Sequence, residues 1–192
     1  MRKLLAAAIL LFLALGAARA QVLDRAVVLV AQPDLHGVYS RTVLLVVPAA
    51  HGQHLGFILN RVTDVKLGNL FPEHAPSGKV VDPVYFGGPE MMQSIFAVVR
   101  RKDVEDMRGS PSLHLFGDLF VAGDAVTVDR IIEQTPNDAR YFAGFVGWQR
   151  GELAKELDSG FWHVTEPDEK LLFRDPAGMW EELRKRLGQL KV

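Results

Sequence analysis

Hydrophobic and polar positions alternate between two rhythms along the chain. Ala26–Ala31 (AVVLVA) and Thr42–Val47 (TVLLVV) are unbroken β-branched runs, which predict strands buried on both faces. Leu55–Leu59 (LGFIL) predicts a third strand, and the polar turn Ala49–Gln53 suggests an antiparallel hairpin with the second. Val84–Phe86 and Ser94–Val99 read as further strands, and Ser112–Phe116 and Leu119–Ala122 flank a Gly117-Asp118 hairpin signal. Val126–Gln134 predicts a helix with Val128, Ile131 and Ile132 on one side, and the aromatic run Tyr141–Trp148 predicts a strand. Arg150–Leu157 predicts a short helix, Phe161–Val164 and Leu171–Phe173 short strands, and Met179–Leu190 an amphipathic helix. Val65–Phe71 could form a short helix, although Gly68 opposes it, and Pro72–Lys79 reads as loop. Strands dominate the first two-thirds, helices become frequent towards the end, and no linker or repeat interrupts them. That pattern predicts one α+β domain.

The N-terminus follows neither rhythm. Arg2 and Lys3 precede twelve apolar residues, Leu4–Leu15, and Ala18-Arg19-Ala20 has the small-x-small form of a cleavage site. This is the pattern of a secretory signal peptide over residues 1–20, with the domain occupying 21–192. The alternative is retention as an uncleaved anchor, but the run is shorter than the roughly 20 residues a membrane span needs. The expected location is periplasmic or secreted, with no membrane association after cleavage.

The chain has 192 residues, 22 Lys+Arg, 23 Asp+Glu and no cysteine. Loss of Arg2, Lys3 and Arg19 with the leader leaves 19 basic residues against 23 acidic ones, a net charge of −4. That balance opposes a nucleic-acid partner. The missing cysteine excludes disulfides, thiolate metal sites, cysteine nucleophiles and the acylated Cys of a bacterial lipoprotein. There is no Gly-x-Ser-x-Gly, His-Glu-x-x-His or Walker glycine loop. His36, His51 and His54 could share a metal, but no carboxylate lies close in sequence, and exposed turn histidines are the expected outcome. No catalytic residue, metal or cofactor is assigned.

The motifs that stand out lie at strand ends. They are GFILNR (Gly56–Arg61), VYFGGP (Val84–Pro89) and AGFVGWQRGELAKEL (Ala143–Leu157), followed by Phe161-Trp162, Leu171–Phe173 and Met179-Trp180. In this order they resemble the YqgE/AlgH family of bacterial proteins, over about Ala26 to Leu187. The family pattern reads as G-hydrophobic-Asn-Arg, hydrophobic-GGP, and GYAGW-x-x-GQLE followed by Trp. The resemblance implies a single α+β domain with a curved, partly barrel-like, mostly antiparallel or mixed sheet flanked by helices. It implies little about function, although some members are labelled transcriptional regulators. Asn60, Arg61, Gly87, Gly88, Pro89, Gly144, Gly147, Trp148, Gly151 and Trp162 match the pattern. Glu152 stands where the family commonly has Gln, Ala154 where it has Glu, and a signal peptide is unusual among members.

The candidate ligand-binding residues are Asn60, Arg61, Gly87, Gly88, Trp148 and Glu152. Glycines allow close backbone approach, Trp148 could supply an apolar wall, and Arg61 a planar fork for a carboxylate or phosphate. The same residues could instead make turns, fill the core, and pair Arg61 with an acid such as Asp82. The functional expectation is an exported, non-catalytic binding or regulatory domain, monomeric, with an unknown small molecule or protein as its partner. The alternatives are an unfamiliar hydrolase-like enzyme using Arg61 and the turn histidines, and a transcriptional regulator.

Overall fold

A computed structural model describes residues 23–103 and 111–189. The predicted signal segment, 1–20, lies outside the described residues. Ten strands form one curled sheet: β1 (Val27–Ala31), β2 (Val43–Pro48), β3 (His54–Ile58), β4 (Val62–Lys66), β5 (Pro83–Phe86), β6 (Glu90–Arg100), β7 (Ser112–Phe116), β8 (Leu119–Ala122), β9 (Arg140–Trp148) and β10 (Trp162–Thr165). Among the described residues they are accompanied by the helices α1 (Leu67–Leu70), α2 (Ala125–Gln134), α3 (Glu152–Asp158), α4 (Glu169–Phe173) and α5 (Met179–Gln189). The main strand order is β10-β1-β2-β3-β9-β6-β8-β7, and its neighbours pair antiparallel. Among the described residues the one parallel pairing joins β5 to the first half of β9, whose second half pairs with β3.

This is the expected single α+β domain with a half-barrel sheet. Its unbroken apolar strands are explained by two cores, one on each face. Val28, Val30, Val43 and Leu45 pack with Phe57, Phe142, Met179 and Leu183 on one side. Val27, Leu29, Leu44 and Val46 pack with Trp148, Leu153 and Trp162 on the other. Successive residues point to opposite faces of a strand, so both parities must be apolar here. A third core seats α2, through Val128, Ile131 and Ile132, against Ala97, Val99 and Tyr141. The side chain of Asp124 caps α2 by accepting from the Thr127 amide at 3.0 Å.

Three expectations change. Leu171–Phe173 is helical rather than extended, because Asp168 accepts from the Lys170 amide at 2.9 Å and starts α4. Val65–Phe71 divides into the end of β4 and the single turn of α1. His54 belongs to β3 rather than to the preceding turn, where His51 and Gly52 adopt φ of 59° and 75°. Among the described residues no helix is long and apolar enough to cross a membrane.

Candidate functional site

Asn60 and Arg61 follow β3 where the chain turns towards β4. Asn60 Oδ1 accepts from the Val43 amide at 2.9 Å, and its Nδ2 donates to the Arg41 carbonyl at 2.9 Å. The side chain thereby continues the β2–β3 ladder past its last backbone pair and fixes residues 40–41 beside 60–61. Arg61 donates through Nη2 to the Ser40 carbonyl at 3.1 Å. It is half-buried and has no carboxylate partner among the described residues. A guanidinium carries five donors, so most of this fork is left unspent.

Those donors border a cavity of about 540 Å³ between residues 40–41, residues 60–62 and residues 175–181 at the start of α5. Arg41, held at φ 55°, ion-pairs with Glu181 and lies 5.0 Å from the centre of the Trp180 ring. Trp180 is itself pinned, its indole N–H donating to the Ala31 carbonyl at 2.9 Å. On the other wall Asp175 Oδ1 accepts from the Ala177 amide at 2.9 Å. This wall is tied back to the sheet by Arg140, which is 6% exposed and donates to the Arg174 carbonyl at 3.1 Å. Burial lowers the Arg140 pKa from its usual value; the nearby Tyr85, Asp82 and Asp175 act against that shift.

Asp82 approaches Arg140 at 3.6 Å, so the acid considered for Arg61 serves a different arginine. Gly87 and Gly88 sit beside Arg61 only through the backbone. The Phe86 amide donates to the Arg61 carbonyl, the Gly87 amide to Ala143, and the Gly87 carbonyl accepts from Ile58, all at 2.9 Å. A Cβ on Gly87 would fall 2.1 Å from the Gly144 carbonyl oxygen, and one on Gly88 2.2 Å from the Phe145 carbonyl carbon. These glycines let two backbones cross. The Gly87 amide is already spent and cannot join an anion nest.

Trp148 lies elsewhere. It is 4% exposed, faces His54 across the β3–β9 pairing, and packs with Leu153 and Trp162. Four residue steps, about 13 Å of strand, lead from His54 to Ile58 before the Asn60-Arg61 turn begins. Glu152 closes the turn that leads into its own helix, accepting from the Gln149 amide at 2.8 Å. The structure therefore brings Asn60, Arg61 and Gly87 together, and gives Trp148 and Glu152 local structural work away from Arg61's cavity. His51 and His54 do not line that cavity either, and His54 Nε2 lies 3.0 Å from the Leu23 carbonyl. Among the described residues no three His, Asp or Glu side chains converge as a metal set.

Arg41, Asp175, Trp180 and Arg140 complete the surroundings of Arg61 and were not recognised from sequence. Trp180 carries the one usable signal, an indole on an amphipathic helix. The other three gain meaning only from pairings across 34 or more positions or from an unusual turn conformation.

Comparison with known proteins agrees with this architecture. The AlgH-like family model matches residues 28–191. A protein of Chlamydia trachomatis is 30% identical over 172 residues, covering 87% of this chain and 88% of that one. A Chlorobium phaeobacteroides protein is 28% identical over 159 residues, covering 80% and 81% respectively. Both carry only the label of the UPF0301 group. A crystal structure from Corynebacterium diphtheriae superposes with TM-score 0.66 at 26% identity, over 85% of this chain and 86% of that one. The solution structure of AlgH from Pseudomonas aeruginosa shares the fold, with TM-score 0.68 at 21% identity over 87% and 88%. On the family match across almost the whole described domain, the chain belongs to the AlgH-like family.

Proposed function

We propose that this protein is an exported, non-catalytic binding domain that holds a small anion, a carboxylate or a phosphate ester, in the cavity beside Arg61. The observation that carries the reading is the half-buried Arg61 fork, with one backbone bond and no carboxylate partner among the described residues, on the wall of a cavity of about 540 Å³. A planar guanidinium suits the two oxygens of a carboxylate or phosphate. Asn60 contributes by holding the turn that presents Arg61, since its own amide is already bonded on both sides. Export rests on the pattern of residues 1–20. The carboxylates that line the cavity are already engaged, Asp175 by the Ala177 amide and Glu181 by Arg41, and neither turn histidine lines it, which supports binding over acid–base chemistry. The net charge of −4 after loss of the leader argues for a non-DNA role.

Thermal unfolding of the purified chain, titrated separately with inorganic phosphate and succinate, tests the reading. One of them should stabilise saturably, because a ligand at 100 times its Kd adds about 2.7 kcal/mol by mass action. Arg61→Ala should abolish that response. A saturable response that survives in Arg61→Ala, or none with either anion, would overturn the assignment.

A further inference from the structure

Arg41 is fixed more firmly than an exposed ion pair requires. Its φ of 55° lies in the left-handed region, which favours glycine or asparagine over a long side chain. Asn60 Nδ2 holds its carbonyl there at 2.9 Å. The guanidinium rests 5.0 Å from the centre of the Trp180 ring, and that ring is pinned in turn to the Ala31 carbonyl. An unfavourable backbone conformation that its surroundings maintain marks a side chain placed for use. Arg41 is also placed beside Arg61. Arg61 Nη2 donates to the carbonyl of Ser40, the residue before Arg41, and both arginines line the same cavity.

Glu181 is the looser member of its pair. Its carboxylate meets Arg41 and has no other partner among the described residues. The arginine side chain is 62% exposed and the glutamate 50%. An ion pair this exposed resists exchange only weakly, by roughly fivefold at most. Lys185 stands one turn further along α5, at the i,i+4 spacing that can receive a released glutamate. The other acid of the lining, Asp175, is committed elsewhere. Its Oδ1 accepts from the Ala177 amide, and its charge acts on Arg140 and Arg174. Release of Glu181 therefore leaves two guanidiniums free to share one ligand.

We propose that the cavity takes a dicarboxylate, one carboxylate on the Arg61 fork and the other on Arg41 in place of Glu181, a narrowing that rests on the anion site proposed above. Glu181 is the internal carboxylate that the ligand displaces, and Arg41 is the residue that distinguishes a diacid from a monoacid. Each planar guanidinium matches the two oxygens of one carboxylate. A cavity of about 540 Å³ has room for a short chain between two such groups. A monocarboxylate engages Arg61 alone and leaves the Arg41–Glu181 pair closed.

Calorimetric titration of the full chain at constant ionic strength compares malonate, succinate and glutarate with acetate, propionate and butyrate. At least one diacid should bind roughly tenfold or more tighter than the monoacid of the same length. Arg41→Gln should reduce that diacid to the affinity of its monoacid and leave the monoacid unchanged. Glu181→Gln should tighten the diacid roughly threefold more than the monoacid, whose gain reports only the removed negative charge. That difference should vanish when Arg41→Gln is added, with circular dichroism confirming that each variant is folded. A diacid no tighter than its monoacid, with both lost in Arg61→Ala, overturns the dicarboxylate and leaves the Arg61 site standing. So does a diacid preference that survives Arg41→Gln. Binding of neither class also overturns the dicarboxylate, and the phosphate titration then decides the Arg61 site by itself. Binding that survives Arg61→Ala overturns both.

Discussion

The guanidinium of Arg140 lies 4.4 Å from the centre of the Tyr85 ring and donates to the Arg174 carbonyl at 3.1 Å. One buried side chain thus joins β9, β5 and the segment that walls the Arg61 cavity. Its carboxylate neighbour, Asp82, is largely exposed and 3.6 Å away, so ring stacking and the carbonyl bond hold the charge more than ion pairing does. Arg140→Ala should destabilise the chain by about 2–4 kcal/mol, measured by urea denaturation. Arg140→Lys keeps the charge but loses the planar fork, and should recover less than half of that loss. If Arg140→Lys matched the parent chain, stacking would not be what holds the group.

Arg61 should behave in the opposite way. It is half-exposed and contributes one backbone bond. Arg61→Ala is therefore expected to cost under about 1 kcal/mol in the same denaturation experiment. A loss of several kcal/mol would mean that the fork is structural and that the cavity beside it is incidental.

The Gly87-Gly88 crossing admits no side chain. Unlike a turn glycine, Gly88 is required by its neighbour, since a Cβ would meet the Phe145 carbonyl carbon at 2.2 Å. The obstacle is backbone in a paired strand, which cannot rotate aside. Gly88→Ala should cost more than about 3 kcal/mol or prevent folding. Gly117→Ala offers a control in the β7–β8 turn: φ is 56° there, but a Cβ would meet nothing within 4 Å. That change should cost only about 1 kcal/mol, the penalty of a left-handed alanine.

These contrasts show which features were readable along the chain. β1 and β2 announce themselves because both faces are buried, and α2 because Val128, Ile131 and Ile132 recur on one side. β4 is hidden because its residues are exposed on an edge and leave no apolar alternation. α4 is hidden because Leu171–Phe173 is too short to display a period. Within the site, Asn60-Arg61 could be found because the pair ends a strand. The separation of Trp148 from it could not, because that depends on which end of β3 faces which end of β9.

Trp148 tests that separation directly. Its ring closes the core between Leu153 and Trp162, and its edge would lie 2.9 Å from a Cβ at Gly56. Trp148→Ala should destabilise by about 3–5 kcal/mol, the usual cost of emptying a large aromatic site. At a temperature where the variant is still folded, its affinity for the anion proposed to bind beside Arg61 should match the parent's. Calorimetric titration showing a loss of affinity alongside intact folding would return Trp148 to the binding site.

Tyr141 supplies the alkaline limit. Its hydroxyl is buried in the α2 core with no hydrogen-bond partner, and burial raises its pKa well above the usual 10.0. Burial also raises Tyr39 and Tyr85. A phenol that stays protonated in the folded chain while the unfolded chain ionises makes the unfolded state bind fewer protons. Its contribution is therefore complete below pH 10 and is lost progressively as pH rises beyond that value. Tyr141→Phe removes the ionisable group and the unpartnered hydroxyl together. Near neutral pH it should stabilise the chain by about 1 kcal/mol, since a buried unsatisfied donor carries a desolvation penalty of roughly 1–3 kcal/mol. Above pH 10 the gain should widen, because one of the three phenols that resist ionisation in the fold is gone. Denaturation midpoints followed from pH 7 to about pH 11 would measure both effects, bracketing the ordinary phenol pKa of about 10. A variant that is less stable at neutral pH would show that the Tyr141 hydroxyl has a partner after all, most simply a buried water.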